Sequence, residues 1–308
     1  MPASNTPGMG AIPGQGFTTF RVWAPHAQTI CVAGSFNSWS QTAAPLTSEG
    51  NGFWSVDVPN AKVGDSYKFV ITNPNIPTPL WKNDPYAREL RTDSKGILNA
   101  IIANPDFAWH PVPFQGPTWN DMIIYELHIG SFLIDPASPK KRGTFHSLIS
   151  KLDYLRDLGI NAIEIMASGE FGTDISWGYN PAYIFAIESD YGGPNGFREL
   201  VNEAHRRGIA VLFDVVFNHL GPDQLDMWQF DGWKPFDANV GGIWFYNDFP
   251  RRNTPWGDTR PDYGRGEVRS YLFDNALRWL DTRGVDGLRW DATAYIRNAY
   301  GNDNDPVN

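Results

Sequence analysis

The 308-residue chain has one cysteine, Cys31, so no intramolecular disulfide is possible and its fold must come from buried apolar surface. Cys31 lies in the apolar run Thr-Ile-Cys-Val-Ala and reads as a buried thiol. No apolar run approaches membrane-spanning length, and residues 1–16 are polar and rich in proline and glycine, without the apolar centre of a signal peptide. The expectation is a cytoplasmic protein with no membrane contact. A basic surplus is also missing: 25 Lys and Arg face 34 Asp and Glu, for a net charge of −9. Such a chain repels polyanions, which argues against nucleic acid as a partner and fits a neutral polymer. No glycine-rich phosphate loop, Cys/His cluster or serine–histidine elbow stands out, so dinucleotide, zinc and acyl-transfer chemistry fall away. No cofactor is expected.

Flat apolar surface is abundant, with 13 Trp and 12 Tyr, and 42% hydrophobic residues can supply the cores of two domains. Stacking on sugar rings is one use for such faces, although core packing must account for most of them.

Two stretches place charged groups where chemistry needs them. Read as a strand, Val285 to Ala292 puts Gly287, Arg289 and Asp291 on one buried face and Asp286, Leu288 and Trp290 on the other. An arginine two strand residues away, roughly 6 to 7 Å, favours the ionised carboxylate by roughly 2 to 3 kcal/mol at an effective dielectric of about 20. An ionised carboxylate at a strand's carboxyl end, with glycine leaving room for a ligand, suits a nucleophile attacking carbon. On that stretch alone a structural ion pair is the plainer reading. The second stretch, residues 208 to 219, is an apolar run ending in Asp214, Asn218 and His219, the pattern of a parallel strand buried on both faces.

Taken together, DVVFNH at 214 to 219, GLRWDA at 287 to 292 and SWGYNP at 176 to 181 resemble the α-amylase superfamily of retaining α-glucan enzymes. By that resemblance Asp291 is the nucleophile of a covalent glycosyl intermediate and Arg289 holds it ionised and oriented. Asp214 and His219 bind hydroxyls of the sugar at the cleavage point, and Tyr179 is the platform beneath that sugar. Asn218 resembles a calcium ligand of secreted amylases, yet Asp223, Asp226 and Asp231 show no loop spacing for that metal, so none is expected. VWAPHA at 22 to 27, AGSFNSWS at 33 to 40 and YKF at 67 to 69 resemble starch- and glycogen-binding modules. That family's flat faces fall on Trp39 and Trp81, with Lys68 and Asn99 as polar neighbours; packing against the barrel is the competing use.

The chain divides accordingly. Residues 1–15 read as a flexible start, and 16–103 as an immunoglobulin-like β-sandwich with strand-like runs Phe17–Ala24, Thr29–Gly34, Gly52–Val58, Ser66–Thr72 and Gly96–Ala103. Residues 104–121, with four prolines, read as a linker, and 122–308 as the first half of a (β/α)8 barrel. Four strands are expected to end at Ile129, Met166, Val216 and Asp291, with helices at Thr144–Leu158, Gly196–Arg207 and Gly266–Arg283. Loops 167–194 and 220–263 are far longer than such connections usually are, which marks them as functional.

The resemblance is strongest to glycogen branching enzymes acting on α-1,4-glucan (glycogen, starch, maltooligosaccharides), and Tyr263–Arg269 and Asn275–Leu280 add to it. The loop from Leu220 to Arg260 departs from that pattern, so an amylase-type or trehalose-releasing hydrolase is the alternative. A glucan-binding protein without turnover is the reading from another class. Retaining chemistry needs a second carboxyl about 5 to 5.5 Å from the nucleophile. In the family it follows a later strand, and Asp303 and Asp305 have no strand to position them. The chain as given is therefore expected to be an aggregation-prone half barrel without turnover. His128, Glu164 and Glu170 fall outside the motifs, and His26, His110, His146 and His205 read as turn or surface residues.

Overall fold

A computed structural model of the chain describes residues 2–110, 114–235, 239–282 and 284–298. Asp303 and Asp305 lie outside them.

In chain order, β1 (Gly10–Pro13), β2 (Phe17–Trp23), β3 (Thr29–Gly34), β4 (Thr47–Gly50), β5 (Phe53–Pro59), β6 (Ser66–Asn73), β7 (Ile76–Lys82), β8 (Leu90–Thr92) and β9 (Leu98–Ile101) form the first unit. They make two antiparallel sheets, ordered β1-β2-β5-β4 and β3-β6-β9-β8, with β7 also on β6. Alternate residues Phe20 and Val22 of one sheet and Val32, Tyr67 and Phe69 of the other close a sandwich core. The rings of Phe20 and Tyr67 meet at 5.0 Å.

The first 15 residues are not free of this sandwich. β1 pairs with β2, and Ser4 is buried, its amide donating to Ser55 Oγ at 2.8 Å. The cause is Arg21, on the outward face of β2: its guanidinium needs acceptors, and the Ser4 and Gly8 carbonyls supply them at 3.0 and 2.7 Å. Strands β4, β7 and β8 lacked the alternation that marks a strand in the sequence, because their mostly exposed side chains leave pairing to the backbone. Cys31 is half-buried on β3 rather than fully enclosed, and burial pushes its thiol up.

The second unit is built from β10 (Ile124–Leu127), α1 (Ile129–Phe132), α2 (Phe145–Ile149), α3 (Leu152–Asp157), β11 (Ala162–Ile165), β12 (Gly169–Phe171), β13 (Pro181–Ile187), α4 (Gly193–His205), β14 (Ala210–Val215), α5 (Gly266–Leu277), β15 (Gly287–Trp290) and α6 (Ala294–Arg297). Its centre is a four-stranded parallel sheet ordered β10-β11-β14-β15, the expected half barrel. Helix α4 lays Phe197, Leu200, Val201 and Ala204 on the sheet at helical spacing.

Three expectations change. The helix foreseen over 144–158 is two, because Ser150 turns its hydroxyl back to the Ser147 carbonyl (2.6 Å) and Lys151 N bonds Leu148 O in a tight turn. The helix foreseen to 283 ends at Leu277 and widens into a π-helical turn over Arg278–Thr282, where buried Trp279 donates to Asn275 Oδ1 at 2.9 Å. The 167–194 loop contains the antiparallel pair β12–β13, and every residue of β13 is buried.

The units share one core. Trp23 meets Trp244 edge to face at 5.3 Å, and Tyr86 packs on Phe185 and Tyr271 at 4.6 and 5.0 Å. Buried Asp231 of the long second loop accepts from the amide and Nδ1 of His26 at 2.9 and 3.1 Å.

Candidate active site

The parallel register sets Asp214 of β14 directly opposite Arg289 of β15, so both side chains leave the same face of the sheet. Asp291 follows β15 by one residue, its amide held by Val215 O at 3.0 Å. The three meet: Arg289 Nη1 donates to Asp291 Oδ1 at 2.7 Å and to both oxygens of Asp214, at 3.0 and 2.9 Å. The pairing of Arg289 with Asp291 was legible in the i, i+2 spacing. Its equal engagement with Asp214 depends on register, which the sequence does not reveal. The expected burial of Arg289 is not found: its side chain is 41% exposed, because β15 ends the sheet. The space read at Gly287 as room for a ligand is taken by Leu212, whose Cδ2 stands 2.9 Å from where a Cβ would be.

Tyr179 comes from the loop before β13 and donates its hydroxyl to Asp214 Oδ2 at 2.7 Å, with Arg289 over its ring at 5.8 Å. The turn that delivers it requires glycine at 178, where φ is 93° and a Cβ would fall 1.6 Å from the Ala167 carbonyl. His128 fastens the same loop to the end of β10: its Nε2 lies 3.0 Å from Ser176 O and 2.9 Å from Tyr191 Oη.

Burial pushes the Asp214 carboxyl up to about 6, against the pull of its bonds from Tyr179 and Arg289. Burial also lowers the Arg289 guanidinium, but its bonds to the two carboxylates outweigh that and raise it. His219 is buried and thereby held below the usual imidazole range, with Nδ1 2.9 Å from Asn218 Nδ2. Asn218 is fully buried, and its Oδ1 has no hydrogen-bond partner among the described residues. No group of three or more His, Cys, Asp or Glu among the described residues is placed to hold a metal.

One residue beside the site was not singled out in the sequence. Trp256 lies nearly parallel to His219, ring centroids 4.7 Å apart, in a turn closed by Thr254 and Gly257. The Thr-Pro-Trp-Gly run was the available signal.

In the sandwich, Trp39, Lys68, Trp81 and Asn99 come together around a cavity of about 430 Å³, with Asp93 and Ile97 at its edge. The two indoles stand 6.4 Å apart at 43°, so they form a bent surface rather than one plane. Trp39 is half-buried. Asn99 is buried, with its amide turned to Ile97 O at 3.0 Å.

Comparisons with known proteins bear on the family and the fold. The family model for carbohydrate-binding module 48 (isoamylase N-terminal domain) matches residues 8–87, and that for the alpha amylase catalytic domain matches residues 94–236. The second match stops short of Arg289 and Asp291. A malto-oligosyltrehalose trehalohydrolase from Saccharolobus solfataricus is 34% identical over 282 residues, covering 90% of this chain and 44% of that protein. A 1,4-alpha-glucan branching enzyme from Francisella tularensis subsp. novicida is 34% identical over 306 residues, covering 93% and 44%. A crystal structure of a candidate alpha amylase from Salmonella typhimurium superposes with a TM-score of 0.77 at 30% identity, over 94% of this chain and 44% of that one. The chain spans less than half the length of the curated relatives it matches. It belongs to the α-amylase family, with a carbohydrate-binding module 48 ahead of the opening strands of the catalytic barrel.

Proposed function

We propose that Asp291 is the nucleophile of a retaining enzyme acting on α-1,4-glucosidic bonds, and that the reaction is glucan branching. The observation that carries this is Arg289 Nη1 shared between Asp214 and Asp291 at the carboxyl ends of adjacent strands. A guanidinium so placed keeps two carboxylates apart in role: one attacks, the other grips the sugar. Asp291 attacks the anomeric carbon as the glycosidic C–O bond breaks and the leaving oxygen takes a proton. A hydroxyl of an acceptor glucan then displaces Asp291 from the same face. Asp214 and His219 hold sugar hydroxyls, and the ring of Tyr179 supports the sugar. The general acid is not assigned among the described residues. Trp39, Trp81, Lys68 and Asn99 form the module's glucan contact. The setting is cytoplasmic.

Relatives named as branching enzymes support transfer. Trehalose-releasing hydrolysis is the second reading, favoured by the similarity to the Saccharolobus trehalohydrolase. Incubating the full-length enzyme with amylose separates them: new α-1,6 linkages support branching, and a rise in reducing ends or free trehalose without them sinks it. Asp291→Ala is expected to abolish either reaction. Full activity in that variant would refute the nucleophile assignment.

A further inference from the structure

At the carboxyl end of β10 a cavity of about 300 Å³ lies between residues 140–142 and the loop that carries Tyr179, and the proposed chemistry does not use it. Lys140, Lys141 and Arg142 line it and no Asp or Glu among the described residues does, in a chain whose net charge is −9. Two of these cations are already engaged: Lys140 bonds Asp174 and Asp190 at 2.9 and 2.7 Å, and Arg142 bonds the same two carboxylates, each at 3.1 Å. Lys141 is not. Its ammonium has no hydrogen bond or ion pair among the described residues, and its backbone is left-handed at φ 51°, which a side chain other than glycine rarely adopts. Trp177 also lines the cavity, 71% exposed, and its indole has no ring contact or hydrogen bond among the described residues. His128 Nε2 lies 3.0 Å from the Ser176 carbonyl, which can only accept, so the ring hydrogen is on Nε2 and Nδ1 accepts from Ser131 Oγ at 2.9 Å. The Ser131 oxygen therefore faces a ligand as an acceptor.

We infer that this cavity binds a phosphomonoester carried on a sugar, with Lys141 on the phosphate and Trp177 against the ring. A neutral saccharide leaves the free ammonium without use, whereas a phosphomonoester brings a charge of about −1.5 to −2 at pH 7. A sugar carboxylate is the other candidate anion, and it is best matched by the two-pronged fork of an arginine. Arg142 is already committed to two carboxylates, so the free group is a lysine, a point charge with three donors that suits a phosphate oxygen. The flat apolar indole covers the C–H face of a pyranose, and Ser131 accepts from one of its hydroxyls. At about 300 Å³ the space suits one sugar unit, at the small end of the roughly 300 to 1,000 Å³ usual for small-molecule sites. The choice of glucose as the sugar rests on the proposed function; the phosphate does not.

The test is titration calorimetry of the full 308-residue chain with glucose 6-phosphate, glucose and inorganic phosphate, in the parent and in Lys141→Gln, Trp177→Ala and Asp174→Asn. Neither Lys141 nor Trp177 has a side-chain partner among the described residues, and an unchanged thermal midpoint confirms folding. The parent is expected to bind glucose 6-phosphate roughly tenfold or more tightly than either glucose or phosphate. Lys141→Gln should remove that advantage over glucose, and Trp177→Ala the advantage over phosphate. Asp174→Asn, which deletes the nearest competing negative charge on Lys140 and Arg142, should tighten glucose 6-phosphate severalfold and leave glucose unchanged. Equal affinity for glucose and glucose 6-phosphate in the parent overturns the inference, as does unchanged glucose 6-phosphate binding in Lys141→Gln. Inorganic phosphate bound as tightly as the sugar phosphate overturns it too. Maltotriose bearing a 6-phosphate separates the two sources of the group: tighter binding than glucose 6-phosphate marks a phosphorylated glucan chain, and equal or weaker binding marks a free sugar phosphate. Turnover of unphosphorylated amylose by the full-length enzyme is expected to be the same in Lys141→Gln as in the parent. Absent turnover with intact glucose 6-phosphate binding would sink only the assignment of Asp291.

Discussion

At the scale of single residues, Tyr179 does two separable things: its ring lies under Arg289, and its hydroxyl donates to Asp214. Tyr179→Phe keeps the first and removes the second. The bond from Tyr179 pulls the Asp214 carboxyl down, so its loss lets burial push Asp214 above the parent's value of about 6. Since Asp214 must be ionised to accept sugar hydroxyls, the acid limb of kcat/KM against pH in the full-length enzyme is expected to move to higher pH. An unmoved limb would show that Asp214 does not set it. Gly178→Ala tests the same loop from its backbone. A Cβ at φ 93°, aimed at the Ala167 carbonyl, forces strain of at least about 1 to 3 kcal/mol, measurable as a lower denaturant midpoint.

At the scale of elements, the β12–β13 pair holds a titrating couple. Glu170 on β12 and Glu188, which directly follows β13, are both buried, with Asp190 and Arg142 nearby. Burial pushes Glu188 up to about 7, and burial together with the charge of Glu188 pushes Glu170 well above its usual range. Backbone amides of Asp190 and Ser189 bond the two carboxyls, at 3.1 and 2.9 Å. A folded value above the unfolded 4.5 means that the native state binds more protons across this window. Stability should therefore fall as pH rises from about 4.5 to 7. Glu188→Gln is expected to flatten that slope in the thermal midpoint, and an equal slope in the variant would exclude the pair as its source. This pair also marks a limit of sequence reading. Glu170 looked like a loop residue outside any motif, because the short β12 strand has no periodicity to announce burial. Strands β2, β3, β5 and β6 were legible because a hydrophobic face repeats every second residue over six to eight positions. Asp214, Arg289, Asp291 and Tyr179 were named from motifs, but their convergence through one guanidinium nitrogen follows from register between strands 75 residues apart.

At the scale of the whole molecule, two features pull stability in opposite directions. The sandwich and barrel are locked through Asp231, which is fully buried and accepts from His26 N, His26 Nδ1 and Trp233 N, while His26 stacks on Trp233 at 4.5 Å. Asp231→Ala would leave those donors unpaired, at a cost of about 1 to 3 kcal/mol for each one that stays buried. Because the lock joins both units, a single thermal transition in the parent is expected to become two in that variant. One transition at an unchanged temperature would show that the units are coupled by their shared aromatic core alone. Against this, among the described residues the parallel sheet has two unpaired edges, β10 and β15, where Ile124 and Trp290 are 46% and 44% exposed. Short strands with apolar side chains at open edges invite pairing with another chain. The 308-residue polypeptide by itself is therefore expected to self-associate with rising concentration. Charge placed on those edges, as Ile124→Lys with Trp290→Lys, should reduce light scattering several-fold without changing maltotriose binding at the module. Scattering as strong in the double variant would place the sticky surface elsewhere, with exposed Trp119 and Trp177 next to be tested.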